Sequence, residues 1–244
     1  MKKNTNEGEN HIYSEVSDNI GFVEYVSHMG SDVTVVNSAR VSFGKCVPDL
    51  SERDIRLIKY LIKNRHTSVL EHNVVTFRFK VPLFVRSQHM RHRTWSFNEI
   101  SRRYTSYDLE FYEPNRFRKQ SVSNRQASTE EYINPIFPAA PGVKNINYVA
   151  ARRLKSFHKE ALNLYNNLLE NGVCREQARG VLPQNLYTQY YGTCNLNNLF
   201  KFVSLRLHEG AQWEIQQVAK AVLNIMVGLY PQTVQAYTEI KEKD

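Results

Sequence analysis

Apolar and polar positions alternate with a period of two over Val75, Phe77, Phe79 and Val81, with Thr76, Arg78 and Lys80 between them. That is the pattern of a half-buried strand, and Pro82 predicts its end because proline has no N–H to give a ladder. Similar runs predict strands over 22–28 and 187–193, with Gly30 as the turn after the first. Elsewhere the period lengthens. Ile55, Ile58, Leu61 and Ile62 share one helix face, and Ser51 and Asp54 stand at capping-box spacing ahead of them. Helices are also predicted over 33–41, 83–91, 148–170, 195–208 and 211–229. Asn171-Gly172 closes the one ending at 170, and Pro231 stops the last. Between 113 and 147 neither period holds, and Pro, Ser, Asn and Gln mix with scattered charge. So long a patternless stretch predicts a mobile excursion, a functional lid or a partly disordered segment, not a domain boundary. Helices and separate strands in this order predict an α+β class, with a loose tail at 1–10 and one domain over 11–244.

At 244 residues and 41% hydrophobic content the chain can bury one large core. No run of eighteen apolar residues occurs, so no membrane-spanning helix is expected. Residues 1–10 lack the apolar stretch of a signal peptide. Cys46, Cys174 and Cys194 are odd in number and far apart, which argues against a disulfide framework or zinc site and fits a reducing cytoplasm. The net charge of +8 predicts anionic partners without choosing between nucleic acid and small nucleotides.

The placement of charge is more informative than its sum. Arg91-His92-Arg93-Thr94-Trp95-Ser96-Phe97-Asn98-Glu99-Ile100-Ser101-Arg102-Arg103-Tyr104 packs four arginines, two serines, an asparagine and a carboxylate into one short stretch. Forked guanidinium donors beside neutral hydroxyl and amide groups suit phosphate oxygens and the carbonyls of a planar heterocycle. A nucleic-acid-binding module is the competing reading, with Trp95, Phe97 and Tyr104 as stacking groups. Metal binding is disfavoured: His66 and His72 lack His-Glu-x-x-His spacing, and Arg86, Arg91 and Arg93 would repel a cation near His89 and His92. Glu176 and Arg179, one helical turn apart, read from spacing alone as a surface ion pair.

The stretch reads Arg-His-Arg-x-x-Ser-x-Asn-Glu-x-Ser-x-Arg-Tyr and resembles the signature of the flavin-dependent thymidylate synthases. The resemblance extends to His66-Thr67-Ser68-Val69-Leu70-Glu71-His72, Ser38-Ala39-Arg40-Val41-Ser42-Phe43, Arg175-Glu176-Gln177-Ala178-Arg179, and the blocks at 195–206 and 211–215. It covers about residues 21–237. It implies that family's fold, a single domain with a central mixed or antiparallel sheet and packed helices. It implies dUMP ligands at Gln88, Arg91, Glu99, Ser101, Arg102, Arg103, Tyr104, Arg179 and Arg206. It implies FAD contacts at Ser42, Ser68, Arg91, His92, Arg93, Asn98, Glu99, Asn195, Asn197 and Lys201, with Glu71 a structural partner. Two positions depart from the family pattern: Asn197 stands where arginine is expected, and Lys201 where asparagine is common.

The implied reaction is reductive methylation of dUMP to dTMP. FAD reduced by NADPH would supply hydride and 5,10-methylenetetrahydrofolate the carbon, in a cytoplasmic homotetramer whose sites lie between subunits. The cysteine-dependent thymidylate synthases carry a Pro-Cys-His nucleophile, and none of the three cysteines here has that context. By the same resemblance Arg206 takes the central electrostatic role against the uracil imide, and His66 lies near flavin and folate. Ser101 reads as a hydrogen-bond donor, since no base accompanies it in sequence.

Overall fold

The computed structural model describes residues 9–17, 19–138 and 147–241. Its centre is a five-stranded sheet in the order β1-β2-β3-β9-β4, with β1 Glu9–His11, β2 Phe22–Met29, β3 Val74–Pro82, β9 Tyr187–Asn195 and β4 Ser96–Glu99. Every neighbouring pair is antiparallel, which decides between the two expected sheet types. β3 and β9 are the long central strands, in continuous register from Val74↔Asn195 to Pro82↔Tyr187. The period-two residues Val75, Phe77, Phe79 and Val81 are fully buried. Burying each phenylalanine contributes roughly 1.5–3 kcal/mol.

Helices α1 Asp32–Arg40, α2 Glu52–Lys63, α3 Leu83–His89, α6 Leu196–Arg206, α7 Trp213–Leu229 and α8 Pro231–Lys241 surround the sheet, with α4 Ala150–Glu170 and the short α5 Arg175–Ala178 between α3 and α6 in the chain. Ser51 and Asp54 form the expected capping box of α2. The Ser51 hydrogen bonds, more than the neighbouring Arg40, hold the Asp54 carboxyl below its ordinary pKa. Gly30 turns the chain at φ 93°, and a Cβ there would lie 2.2 Å from Asn73 Oδ1, so only glycine fits. Among the described residues no helix is long and apolar enough to cross a membrane.

Several expectations change. Residues 1–8 lie outside the described residues, but Glu9 and Asn10, expected in a loose tail, pair with β2; Glu9 reaches Arg78 at 3.1 Å. Pro231 does end α7, yet it also opens α8. Proline is tolerated in the first helical turn, and buried Asp32 accepts the N–H groups of Gln232 and Thr233, both at 2.9 Å.

The excursion at 113–147 is built, where described, as a hairpin of β5 Phe117–Gln120 and β6 Ser128–Ile133, followed by β7 Ile136–Pro138 paired with β8 Asn147–Val149. No apolar alternation marks β5 and β6 because polar pairs hold them, among them Lys119–Glu131 at 2.7 Å and Arg118–Ser128 at 2.6 Å. Arg116 also stacks over Tyr132 at 4.0 Å.

Candidate functional site

The middle of the arginine-rich stretch is the edge strand β4, paired to β9 from Ser96↔Thr193 to Glu99↔Tyr190. Its aromatic residues anchor it. Trp95 is buried and stacks with Phe97 at an interplanar angle of 8°, and both crowd His89 of α3. His89 is wholly enclosed and shares a 2.9 Å hydrogen bond with the Tyr190 hydroxyl. Burial, with smaller contributions from His92 and Arg206, pushes its pKa well below the ordinary histidine value. The polar residues of the stretch are thereby displayed from a rigid base, and of the three aromatics weighed as stacking groups only Tyr104 stands out in solvent.

Arg206, in the last turn of α6, meets the start of this stretch. Its Nε donates to His92 Nε2 at 3.0 Å and its Nη2 to the Gln88 carbonyl at 3.0 Å. Both acceptors are neutral, and among the described residues no carboxylate pairs with Arg206. Burial alone lowers its pKa. The Gln88 side chain hydrogen-bonds to Gln212, the residue capping α7. A half-buried cation on neutral acceptors keeps its charge available to an incoming anion.

Next to Gln88 in the chain, Ser87 lines a cleft of about 690 Å³ together with Arg86, Glu99, Ser101, Arg102, Arg179 and Thr188. Glu99 is fixed from two sides, by Arg86 and by Thr188 Oγ1 at 2.7 Å. Ser101 Oγ accepts the Arg103 N–H at 3.3 Å. Arg103 meets Glu176 at 3.5 Å, so Glu176 pairs with Arg103 and not, as spacing suggested, with Arg179. Arg102 lines the same cleft, and its guanidinium turns onto the carbonyls of Tyr107, Asp108 and Tyr187, where it braces the chain.

A second cleft, about 810 Å³, is walled by Leu61, Ile62, Leu70, Phe200 and Leu205, with Arg65, His66, Thr67, Asn197 and Lys201 supplying its polar groups. His66 stacks on Tyr60 with ring centroids 6.0 Å apart. Lys201 is exposed. Asn197, by contrast, is buried and donates to Glu71 Oε1 at 2.8 Å, confirming Glu71 as a structural partner. Asn195 caps α6 by accepting the Asn198 N–H at 3.0 Å. Both asparagine side chains thus already have a structural partner within the chain.

Within one chain the two clefts have no lining residue in common. Glu99, Ser101, Arg102 and Arg179 come together in one, and His66, Asn197 and Lys201 in the other. Gln88, His92 and Arg206 form the cluster described above. Arg91, Arg93, Asn98, Tyr104, Ser42 and Ser68 are exposed and line neither cleft. Sequence reasoning missed Arg86, Thr188, Gln212 and Tyr190, the residues that hold the site groups. Only Arg86 carried a local signal, two residues ahead of Gln88 on the same helix; the other three are brought in by strand pairing and helix packing.

Residues 24–232 match the family described as thymidylate synthase complementing protein. Flavin-dependent thymidylate synthase from Thermus thermophilus is 44% identical over 90% of this chain and 76% of its own length. The protein of the same name from Thermosipho africanus is 40% identical over 91% of this chain and 93% of its own. Among solved structures, the UMP/dUMP methylase PolB from Streptomyces cacaoi bound with 5-Br dUMP superposes with a TM-score of 0.75 at 33% identity, covering 92% of this chain and 96% of that one.

Proposed function

This chain belongs to the flavin-dependent thymidylate synthase family, and on that premise we propose that it converts dUMP to dTMP by reductive methylation. FAD is the flavin. NADPH as the reductant that charges it, and 5,10-methylenetetrahydrofolate as carbon donor, complete the proposed reaction.

The observation that carries the reading is Arg206, a half-buried guanidinium held on two neutral acceptors beside the arginine-rich stretch that carries the edge strand β4. Its remaining N–H groups suit the uracil imide, where negative charge grows as C5 is activated. A preorganised donor of this kind contributes about 3–4 kcal/mol of transition-state stabilisation. Gln88, Arg91, Ser101, Arg103, Tyr104 and Arg179 are proposed to hold the nucleotide, with Arg103 and Ser101 nearest its phosphate. Glu99, already locked by Arg86 and Thr188, offers an acceptor that need not reorient. Ser101 acts as a hydrogen-bond donor.

The larger cleft has the chemistry FAD requires: apolar walls for a flat ring system and a cationic rim for its pyrophosphate. Lys201 would meet that phosphate as a point charge. Ser42, Ser68, His92, Asn98 and the exposed Arg91 and Arg93 are proposed as further contacts, and His66 lies by the proposed folate position. Reduced FAD supplies the hydride when bound; the chain's own residues orient the rings, exclude water and offset charge. The two clefts are separate in one chain, so we propose that a cytoplasmic homotetramer joins them between subunits.

The nucleic-acid reading is not favoured, because Trp95 and Phe97 pack against each other and His89 beneath the basic surface. Tritium release from C5-labelled dUMP tests the assignment. The flavin-loaded protein should release tritium only with NADPH and methylenetetrahydrofolate both present. No release under those conditions would overturn the reaction.

A further inference from the structure

We infer that His92 is a positioning residue for Arg206: by accepting the Nε–H it decides which edge of the guanidinium faces the substrate. The inference rests on the proposed role of Arg206 and extends it, giving His92 a task beyond the flavin contact that the family resemblance implies. The observation is the geometry. His92 Nε2 takes the Nε–H at 3.0 Å, and the Gln88 carbonyl takes an Nη2 hydrogen at 3.0 Å. A guanidinium carries five N–H donors in one rigid plane. Pinning two of them removes rotation about the side chain's long axis and leaves the Nη1 edge outward.

The imidazole is itself held. Phe202 meets it edge to face with centroids 5.0 Å apart, and His89 stands 6.3 Å from it on the α3 side. His89 in turn is tied to Tyr190 and enclosed by Trp95 and Phe97. The cage of aromatics therefore has a use beyond packing: it transmits the position of the sheet to the guanidinium.

Only a neutral imidazole can accept this hydrogen bond. Burial, and then the charge of Arg206, lowers the His92 pKa to about 4. The charged or titratable groups around it are Arg206 from α6 and His89 from α3, with Arg91 and Arg93 on either side in the chain; among the described residues no carboxylate bonds to it. None of these neighbours is anionic, so none favours protonation, and Arg206 opposes it. The sign for stability follows. The unfolded chain takes up the proton near 6.5 while the folded one resists until about 4. Stability attributable to this residue therefore falls as pH drops through that window and is unaffected above it.

The test compares the wild-type holoenzyme with His92→Ala, His92→Gln and Arg206→Ala, scoring kcat for dUMP per bound flavin against pH. His92→Ala should lose about 10²-fold in kcat, the scale of an Ångström-size misplacement. His92→Gln keeps an acceptor and should recover most of that loss. The wild type should show a fall in kcat near pH 4 that the glutamine variant lacks. Unchanged kcat per flavin in His92→Ala, or a glutamine variant no better than alanine, would overturn the inference. If the alanine variant does not fold, the glutamine variant decides alone: an acid fall like the wild type's overturns it, and its absence supports it. Arg206→Ala separates the two levels, since normal turnover there removes the parent assignment, whereas a dead Arg206→Ala beside a normal His92→Ala removes only this one.

Discussion

The smaller cleft and the larger one hold their polar groups in opposite ways. In the smaller, Glu99 is clamped by Arg86 and Thr188 and Arg102 is bonded to backbone carbonyls. In the larger, apolar walls dominate, Lys201 is exposed, and His66 rests on a half-exposed tyrosine. The first is preorganised before any ligand arrives, so little reorganisation opposes a charged substrate. The second gains its shape from apolar area and leaves its polar rim free to adapt. That contrast supports the proposed assignment of geometry-sensitive chemistry to the first and of a large ring system to the second.

Mutations can sharpen or break that contrast. Arg206→Ala should reduce dUMP turnover by about 10²–10³-fold. Flavin absorbance should persist, because the charge acts on the nucleotide; coupled loss of flavin and turnover would merge the two functions. Arg102→Ala should cost about 1.5–3 kcal/mol of folding stability, the scale for hydrogen bonds to a charged group. Thermal unfolding would read that loss, while the dUMP dissociation constant of the folded protein stays within a few-fold; a selective loss of dUMP affinity would restore Arg102 as a ligand. Lys201→Ala should weaken flavin retention by about tenfold or less, as befits one exposed point charge. Dialysis followed by absorbance would measure it, and dUMP affinity should not follow. Smallest of all, Asn195→Ala should remove about 1 kcal/mol of stability through the lost α6 cap. Calorimetry should find that change with flavin content unaltered.

The core was legible because burial imposes its period directly: Val75, Phe77, Phe79 and Val81 announce β3, and Ile55, Ile58 and Leu61 announce α2. What escaped has a common physical origin. α8 opens on a proline and is capped by Asp32, about two hundred residues away in sequence, so its start could not be seen locally. β4, β5 and β6 are held by edge pairing and polar cross-strand contacts, which leave no apolar alternation. The site divides the same way. Arg206, Glu99, Ser101 and Arg179 were nameable from residue type and resemblance. Their holders were not, because Thr188 reaches Glu99 and Gln212 reaches Gln88 only after the sheet and helices have assembled. Arg102 illustrates the converse: a guanidinium in a ligand-like motif whose partners are its own chain's carbonyls.

The proposal that subunits unite the two clefts is open to a direct measurement. Arg179→Ala disables the smaller cleft and His66→Ala the larger, and each variant alone should be nearly inactive. Unfolded together in equal amounts and reassembled, they should regain roughly a quarter of wild-type dTMP synthesis, the share of sites receiving both intact halves from different chains. Mixed oligomers that form yet stay as inactive as their parents would contradict the account.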